Sequence, residues 1–269
     1  VLTAEAIGRL PNLRYIGVLA TGYNVVDLVA AGMRGVPVTN IPAYSTPAVA
    51  QMVFAHVLNL TQHVALHAKS VRNGDWSSCS DFCFWNAPLT ELNGQTFGII
   101  GLGQIGKEAA AIASAFGMRV IAYNHRPPRE LTNDIEMVDL DEVFAKSDVI
   151  SLHCPLTKEN HHLVNAKRLK EMKRGAILIN TARGPLVDTM ALAIALKEGE
   201  IAGAGLDVME TEPPIAGHPL FLAPNCHITP HIGWAAQAAR RRLIGIAAQN
   251  VKSFLGGTSE NVVNQDQLV

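Results

Sequence analysis

The chain has 269 residues, of which 48% are hydrophobic and 17% are charged, and its formal net charge is −1. This length exceeds the usual size of one domain, so two domains around a large hydrophobic core are expected. The balanced charge, without long runs of one sign, gives no indication of a nucleic-acid or membrane partner. No uninterrupted apolar stretch is long enough to span a bilayer.

The four cysteines, at positions 79, 83, 154 and 226, are too few and too scattered for a disulfide scaffold. Cys79 and Cys83 could form half of a metal site, but no second pair completes it. Cys154 and Cys226 lie beside predicted strand ends, where packing is the simplest role for a thiol. We therefore expect a reducing, cytoplasmic setting and no metal site.

The first part of the chain has an α/β pattern of its own. It begins at Val1, without a methionine or a signal-like segment, directly before a predicted helix at residues 3–10. We expect that the natural N-terminal portion is missing, either from the molecule or only from the structure. Predicted strands at residues 13–19 and 36–40 then flank a short helix at 27–33.

An amphipathic pattern predicts one long helix over about residues 45–71, beginning at a serine or threonine that can cap it. His63 and His67 lie four residues apart on this helix and could share a face, as metal ligands do. Because no third ligand is in view, surface or packing roles are favoured for both. The aromatic-rich connection at residues 72–93 could pack over a domain junction or line a pocket.

Residues 96–124, TFGIIGLGQIGKEAAAIASAFGMRVIAYN, constrain the function most. Between an apolar strand at 97–100 and an alanine-rich helix at 107–116, residues 101–106 spell G-x-G-x-x-G. The first glycine permits a tight turn, the second lets backbone approach a pyrophosphate, and the third lets the helix lie close to the sheet. N–H groups at the helix start then face the phosphates. This order of elements predicts a dinucleotide site, and the alternative is a βαβ unit that binds nothing.

The acid expected at the end of the second strand is missing, and Asn124, His125 and Arg126 stand there instead. A carboxylate would accept hydrogen bonds from the adenosine ribose hydroxyls and repel a 2′-phosphate. Asn124 can still bond a hydroxyl without repelling phosphate, and Arg126 could pair with a 2′-phosphate. The alternative is a solvated loop that touches no ligand. The choice between NAD and NADP therefore stays open.

Strands and helices continue to alternate after residue 124. This alternation predicts a parallel sheet covered by helices on both faces, with ligands at the carboxyl ends of the strands. The predicted helices are 140–145, 166–172, 190–198 and 235–254. The predicted strands are 149–153, 176–180, 201–208 and a last one near 228.

Four ionisable side chains follow predicted strands: Arg183, Asp207, Glu212 and His231. A guanidinium offers a planar fork for a carboxylate or a polarised carbonyl. A histidine can take or give the proton that accompanies hydride transfer, and a carboxylate beside it would orient the ring. Beside a dinucleotide site these residues predict a 2-hydroxy acid/2-oxo acid dehydrogenase. Singly, each could instead be a surface ion-pair member or a helix-start residue.

These motifs carry a resemblance to the D-isomer-specific 2-hydroxyacid dehydrogenase family over essentially the whole chain. The matching motifs are GLGQIG at 101–106, INTARG at 179–184, GLDVMETEPP at 205–214 and TPHIG at 229–233. The segments that most resemble the glycerate dehydrogenase (hydroxypyruvate reductase) branch are ATGYNVVD at 20–27, IPAYSTPAVAQ at 41–51 and DFCFWN at 81–86.

The resemblance implies a substrate role for five positions. Arg183 would bind the substrate carboxylate and carbonyl oxygen. His231 would be the general acid in reduction and the general base in oxidation, with Glu212 holding it. The backbone around Thr21 and Gly22 would meet the substrate carboxylate from the other domain.

The resemblance also implies a cofactor site. Asp207 would contact the nicotinamide amide, and Thr46 is a weaker candidate on the cofactor side. The other candidate cofactor-binding residues are Gly101, Gly103, Gln104, Ile105, Gly106, Asn124, His125, Arg126, Cys154, Pro155 and Thr181.

The domain organisation that the resemblance implies is a Rossmann-type doubly wound parallel sheet domain at residues 46–232. It would be inserted into a smaller, flavodoxin-like α/β substrate domain made of 1–45 and 233–269. A cleft that closes on binding and a homodimer formed largely through the cofactor domain are also implied. The family normally has a further strand and helix before Val1, without which the substrate domain would be incomplete.

The leading hypothesis is hydride transfer between a nicotinamide and C2 of a small D-2-hydroxy acid, either glycerate/hydroxypyruvate or glyoxylate. Alternative substrates are D-lactate, a bulkier 2-oxo acid, or an inorganic or one-carbon hydride donor. The alternative from another class is a non-catalytic, dinucleotide-sensing binding protein that resembles some transcriptional corepressors. Such a protein can retain the catalytic residues, so a turnover assay is needed to separate the two.

Overall fold

The computed structural model describes residues 1–126 and 135–268. It divides into two compact units. The terminal unit consists of Val1–Ala48 and Trp234–Val269, and the central unit of Val49–Gly233. The domain boundaries expected from the sequence follow residues 45 and 232, and the functional assignment of the two units stays a prediction.

Helices and strands alternate along the chain. The helices are α1 Ala4–Gly8, α2 Leu28–Gly32, α3 Thr46–Gln62, α4 Val64–Arg72, α5 Gln104–Ala115, α6 Leu140–Lys146, α7 Ala166–Glu171, α8 Thr189–Glu198 and α9 Gln237–Leu255. The strands are β1 Ile16–Gly17, β2 Val38–Thr39, β3 Thr96–Ile100, β4 Arg119–Tyr123, β5 Ile135–Met137, β6 Val149–Leu152, β7 Ile177–Asn180, β8 Gly203–Leu206 and β9 Cys226–Ile228. In the part of the chain that is described, no helix combines the length and hydrophobicity that crossing a membrane requires.

The central unit is built on a seven-stranded sheet in the order β5-β4-β3-β6-β7-β8-β9, with every neighbouring pair parallel. Successive residues of a strand face opposite sides. In β7, Leu178 joins a core cluster with Phe144 and Leu192 from α6 and α8, whereas Ile179 joins one with Val53 and Ala109 from α3 and α5. Helices therefore cover both faces, and the predicted parallel α/β sheet is confirmed.

The winding of the sheet reverses direction between β3 and β6. The chain runs outward from β3 to β4 and β5 and then crosses back to β6 on the other side of β3. Gly101 directly follows β3, and His153 directly follows β6. Ligands of open α/β sheets bind outside the carboxyl ends of strands at such a reversal.

The terminal unit contains a parallel pair of strands, β1 and β2, in which Ile16 lies opposite Val38. Its core includes both of these residues and Ile7. The fully buried Asn264 ties the C-terminal segment to β2. Its Oδ1 accepts the N–H of Val38 at 2.8 Å, and its Nδ2 donates to the carbonyl of Val36 at 3.0 Å.

The long helix expected over residues 45–71 is wrong, because the structure has two helices there. α3 ends at Gln62 and α4 begins at Val64. His63 between them takes a left-handed backbone conformation, with φ 48° and ψ 38°, through which a right-handed helix cannot continue. The amphipathic pattern runs across the break and does not reveal it.

Several predicted strands are shorter in the structure, and one strand was not predicted. The segment 13–19 contributes only the two residues of β1 to a ladder, and 201–208 only the four residues of β8. β5 has three residues at the sheet edge, too few for a hydrophobic alternation to be recognised. Gly117, which follows α5, has φ 73°, a conformation that glycine tolerates at the end of a helix.

His153, just after β6, should make stability fall in mild acid. Burial lowers the pKa of His153 to about 4, whereas the unfolded chain has a histidine pKa near 6.5. Below about pH 6.5 the unfolded state therefore binds a proton that the folded state does not. Its contribution to stability is complete above that pH and is lost as the pH falls toward 4.

Urea unfolding at pH 7 and pH 5 measures this effect. Replacement of His153 by Gln should reduce the difference in unfolding free energy by an amount on the order of 1–2 kcal/mol. Burial also lowers the pKa values of His56 and His227, so the variant should keep part of the pH dependence of stability. If the unfolding free energy changed between pH 7 and pH 5 by the same amount in the variant as in the wild type, His153 would titrate normally in the fold.

Candidate functional site

The glycine turn after β3 is shaped by two close approaches. Gly101 has φ 102°, and a Cβ on it would lie 2.6 Å from the backbone nitrogen of Cys154. A Cβ on Gly106 would collide with the carbonyl oxygen of Gly101. Gly103 differs, because a Cβ there would meet no atom within 4 Å. Two glycines are thus needed by the fold itself, and the third borders open space.

The start of α5 suits an anion. Gly103 is its N-cap and provides no side-chain hydrogen bond to the helix, so the first N–H groups, at Gln104 and Ile105, lack a side-chain cap. A helix N-terminus with free N–H groups attracts phosphate. This turn, together with the open space over Gly103, fits the pyrophosphate of a dinucleotide.

Thr181 offers a second sign of a missing ligand at the same sheet edge. It directly follows β7, and its buried Oγ1 has no hydrogen-bond partner among the described residues. Buried hydroxyls nearly always have a partner. A polar group of a bound molecule would satisfy it, which agrees with the candidate cofactor role of Thr181.

Asn124 is tied to the glycine turn. Its Oδ1 accepts the N–H of Leu102 at 3.1 Å, and its Nδ2 donates to the carbonyl of Arg126 at 2.5 Å. The amide therefore holds both the turn and the loop that carries His125 and Arg126, whose side chains are exposed. Asn124 lies beside the turn, as its candidate role requires.

The loop after β6 borders the turn from the other side. Asn160 donates to the carbonyl of Pro155 at 2.8 Å and lies 3.8 Å from the Sγ of Cys154. Burial raises the pKa of the Cys154 thiol to about 11, so the thiol stays neutral at physiological pH. Cys154 and Pro155 therefore border the glycine turn through their backbone atoms and the volume of their side chains.

His231 and Glu212 form the most direct pair of the site. Nδ1 of His231 lies 2.7 Å from Oε2 of Glu212, and Oε1 of Glu212 accepts the N–H of Met209 at 2.9 Å. The carboxylate is thus anchored at one oxygen and orients the imidazole with the other. Because Nδ1 is occupied, Nε2 is the nitrogen left for an external proton acceptor or donor.

Asp207 holds the turn that carries His231. It is almost fully buried, and its Oδ1 accepts from the hydroxyl of Thr229 at 2.5 Å and from the N–H of Ile232 at 2.9 Å. Its Oδ2 accepts the N–H of Gly233 at 2.7 Å. These bonds span His231, whose φ is 55°. The carboxylate of Asp207 thus accepts from two backbone N–H groups and one hydroxyl of the protein itself.

Arg183 follows β7. The next residue, Gly184, lets this loop lie against the segment that leads to Glu212. A Cβ on Gly184 would collide with the backbone of Met209, so the two loops are in backbone contact. Asn180 donates to the carbonyl of Arg183 at 2.9 Å, which fixes the turn. The side chain of Arg183 donates to the carbonyl of Ala182 at 2.7 Å.

A pocket of about 620 Å³ opens at this edge of the central unit. His231, Glu212 and Asp207 are among the residues that line it, together with apolar groups such as Phe221 and Ile228. An apolar pocket with a few convergent polar groups is typical of a small-molecule site. Thr21, Gly22 and Thr46 belong to the terminal unit, so their candidate roles stay predictions.

His56 is a neighbour of the site that the sequence did not indicate. It lies on α3, and its Nε2 is 3.1 Å from Oγ1 of Thr229. Burial lowers the pKa of His56, partly opposed by the charge of Asp207. Because Thr229 donates its only hydroxyl proton to Asp207, His56 must donate from Nε2 to Thr229. No spacing pattern links residues so far apart in the chain.

Comparison with known families agrees with this geometry. Residues 54–233 match the family model described as D-isomer specific 2-hydroxyacid dehydrogenase, NAD binding domain. The chain belongs to this family. The match covers the glycine turn, Arg183 and the His231–Glu212 pair, and it confirms the resemblance carried by the four motifs.

Individual relatives cover nearly the whole chain. A hydroxypyruvate reductase of Blautia hydrogenotrophica is 47% identical over 262 residues, which are 97% of this chain and 81% of the relative. A glycerate dehydrogenase of Methylorubrum extorquens is 43% identical over 264 residues, covering 97% and 82%. The crystal structure of the TT0316 protein from Thermus thermophilus superposes with a TM-score of 0.88 at 42% identity, covering 97% and 82%.

The glycine turn allows ligand binding to be separated from folding. Gly103→Ala adds a methyl group in open space, so the thermal melting temperature should stay near that of the wild type. The same methyl group should obstruct a pyrophosphate and weaken binding of NADH or NADPH by about tenfold or more. Cofactor titration by fluorescence, together with thermal melts, measures both.

Gly106→Ala is the matched control. Its Cβ would collide with the carbonyl oxygen of Gly101, so this variant should lose stability as well as affinity. Unchanged cofactor affinity in Gly103→Ala would show that no dinucleotide lies over this turn.

Proposed function

We propose that this chain is an NAD(P)-dependent oxidoreductase that interconverts a small D-2-hydroxy acid and its 2-oxo acid, with glycerate/hydroxypyruvate or glyoxylate as the substrate. The observation that carries the proposal is the His231–Glu212 pair at 2.7 Å, in a pocket after β8 and β9 of the sheet whose β3 leads into the turn that fits a dinucleotide. The names of the similar proteins from Blautia hydrogenotrophica and Methylorubrum extorquens support the substrate class.

In this mechanism each residue has one task. A nicotinamide dinucleotide held at the glycine turn of residues 101–106 would supply the hydride to C2 of the acid in reduction and would accept it in oxidation. His231, from Nε2, donates a proton to the carbonyl oxygen in reduction and removes it from the hydroxyl in oxidation. Glu212 orients the ring through its contact with Nδ1. Arg183 binds the substrate carboxylate through its planar fork.

The proposal assigns a different role to each unit. The central unit binds the dinucleotide, and its Asp207 holds the turn that carries His231. The terminal unit contributes the backbone around Thr21 and Gly22 to the substrate carboxylate. In that segment the hydroxyl of Thr21 donates to the carbonyl of Ile41 at 3.0 Å, which supports a rigid presentation of its backbone.

Steady-state assays with hydroxypyruvate, glyoxylate and pyruvate, each against NADH and NADPH, test this function. We expect consumption of the reduced cofactor with hydroxypyruvate or glyoxylate. Tight cofactor binding without turnover of any acid would overturn the proposal in favour of a sensor. Strong preference for pyruvate would move the substrate to the lactate class.

His231→Ala should lower kcat by a factor on the order of 10² to 10⁴, because the proton donor is lost. Glu212→Gln keeps a hydrogen bond to Nδ1 but removes the charge, so its kcat should lie between those of the wild type and His231→Ala. His63→Asn is the control, since asparagine tolerates the left-handed conformation at that position. Near-wild-type turnover of His231→Ala would remove it from proton transfer.

The cofactor choice depends in this proposal on Asn124. Asn124→Asp keeps the acceptor for the N–H of Leu102 but loses the donor to Arg126 and repels a 2′-phosphate. The ratio of kcat/KM with NADH to that with NADPH should rise by about tenfold, equivalent to ~1.4 kcal/mol. Asn165→Asp, which adds the same charge at the N-cap of α7, is the control. An unaltered ratio would show that residue 124 does not face the ribose.

We also propose a homodimer formed through the central unit, in a reducing cytoplasmic setting. Large apolar side chains are exposed along α4 and the connection after it: Val64 is 66% exposed, Trp76 53%, Phe82 89% and Trp85 68%. Exposed apolar side chains that cluster in one segment are a feature of protein–protein interfaces. The four free cysteines support a reducing compartment.

Sedimentation velocity tests the dimer. Phe82→Asp places a charge in the proposed interface and should convert the dimer to a monomer, because an unpaired buried charge is costly. Leu222→Asp is the matched control, since Leu222 is 92% exposed in the same unit but outside this segment. A wild-type monomer, or a dimer that Phe82→Asp leaves intact, would contradict the proposed interface.

A further inference from the structure

A cluster of metal-ligating side chains lies outside the catalytic pair. His161 and His162, in the loop after β6, and Glu210, in the segment after β8, have ligand atoms that all lie within 4.8 Å of one another. Two imidazoles and one carboxylate at this separation match the donor set of a transition-metal site. The spacing of residues in the sequence could not show it, because two distant segments supply the ligands.

The backbone of His162 is held in place before any ion binds, and the His161 ring lies against the His162 ring. His162 has a left-handed φ of 53°, and its N–H donates to the carbonyl of Pro185 at 2.9 Å. The imidazole centroids of His161 and His162 are 4.0 Å apart, with an angle of 32° between the rings. Because the two rings are tilted and not parallel, each can direct one nitrogen toward a shared point.

The carboxylate of Asp188 lies on the side of the His162 ring opposite to Glu210. Nε2 of His162 lies 3.3 Å from Oε1 of Glu210, while Nδ1 faces Oδ2 of Asp188 at 3.9 Å. Asp188 is fixed by accepting the N–H groups of Met190 and Ala191 at its other oxygen. At 3.9 Å this is a charge contact and not a hydrogen bond, so Asp188 adds negative charge on the far side of the His162 ring.

The charge around the cluster also favours a cation. Among the described residues, neither Asp188 nor Glu210 forms an ion pair with a lysine or arginine; each pairs only with His162. Two carboxylates beside two imidazole ligands attract a divalent ion. A simple His162–Glu210 ion pair would account for one carboxylate and would leave His161 without a role.

We propose that His161, His162 and Glu210 bind a divalent transition-metal ion, with Zn²⁺ as the ion tested. The nitrogen ligands favour Zn²⁺, Ni²⁺ or Cu²⁺ over Mg²⁺ and Ca²⁺, which prefer oxygen ligands. Three protein ligands leave the fourth position of a tetrahedral ion to water. The ion ties the loop after β6 to the segment that continues to Glu212.

Isothermal titration of the full chain with Zn²⁺ tests the site without any need for turnover. The Cys83→Ser background removes the exposed thiol, which would compete for Zn²⁺. One ion per chain is expected. His161→Ala and Glu210→Gln should each weaken binding by roughly 100-fold, and Asp188→Asn, which keeps its cap on α8, by about tenfold.

His63→Asn is the matched histidine variant and should bind Zn²⁺ as the parent protein does. Electron paramagnetic resonance of bound Cu²⁺ gives a second measurement, in which the nitrogen couplings of the parent should be reduced by His161→Ala. No binding by the parent, or equal affinity in His161→Ala and Glu210→Gln to that of the parent, would overturn the proposal. Loss of binding in His63→Asn alone would equally overturn it, because the ion would then lie elsewhere.

Discussion

One buried carboxylate organises the active edge of the central unit. Asp207 accepts three hydrogen bonds, from the hydroxyl of Thr229 and the backbone N–H groups of Ile232 and Gly233. These bonds hold both sides of a turn whose middle residue, His231, has a left-handed φ of 55°. Each donor left without its acceptor would cost about 1–3 kcal/mol. The orientation of His231 toward Glu212 therefore depends on Asp207.

The support for this turn reaches into the helical layer. His56 on α3 donates a hydrogen bond to Thr229, and Thr229 donates one to Asp207, so both bonds are directed toward the carboxylate. Gly205 makes this approach possible, because a Cβ on it would lie 2.6 Å from the Cβ of His56. A helix that covers the sheet is thereby coupled to the loop that carries the proposed proton donor. Buried polar chains of this kind specify one arrangement when every member is satisfied.

Much of the fold was predictable from local patterns. The strand, glycine turn and helix over β3 and α5 were expected because apolar runs, glycines and helix formers follow one another in a fixed order. The candidate site residues were sought after strands because ligands of parallel sheets bind at the carboxyl ends of the strands. The break at His63 and the short β5 were missed, since neither a single left-handed residue nor three edge residues leave a periodic signal.

The sequence by itself determined the class of sheet, the position of the glycine turn and the candidates Arg183, Glu212 and His231. These follow from the order of residues along one strand or turn, because the local propensities of the residues determine such short elements. Only the tertiary structure decided which atoms meet: Nδ1 of His231 with Glu212, and the ligand atoms of His161 and His162 with those of Glu210. Such contacts join segments far apart in the chain, and hydrophobic periodicity carries no information about which distant loops share an edge.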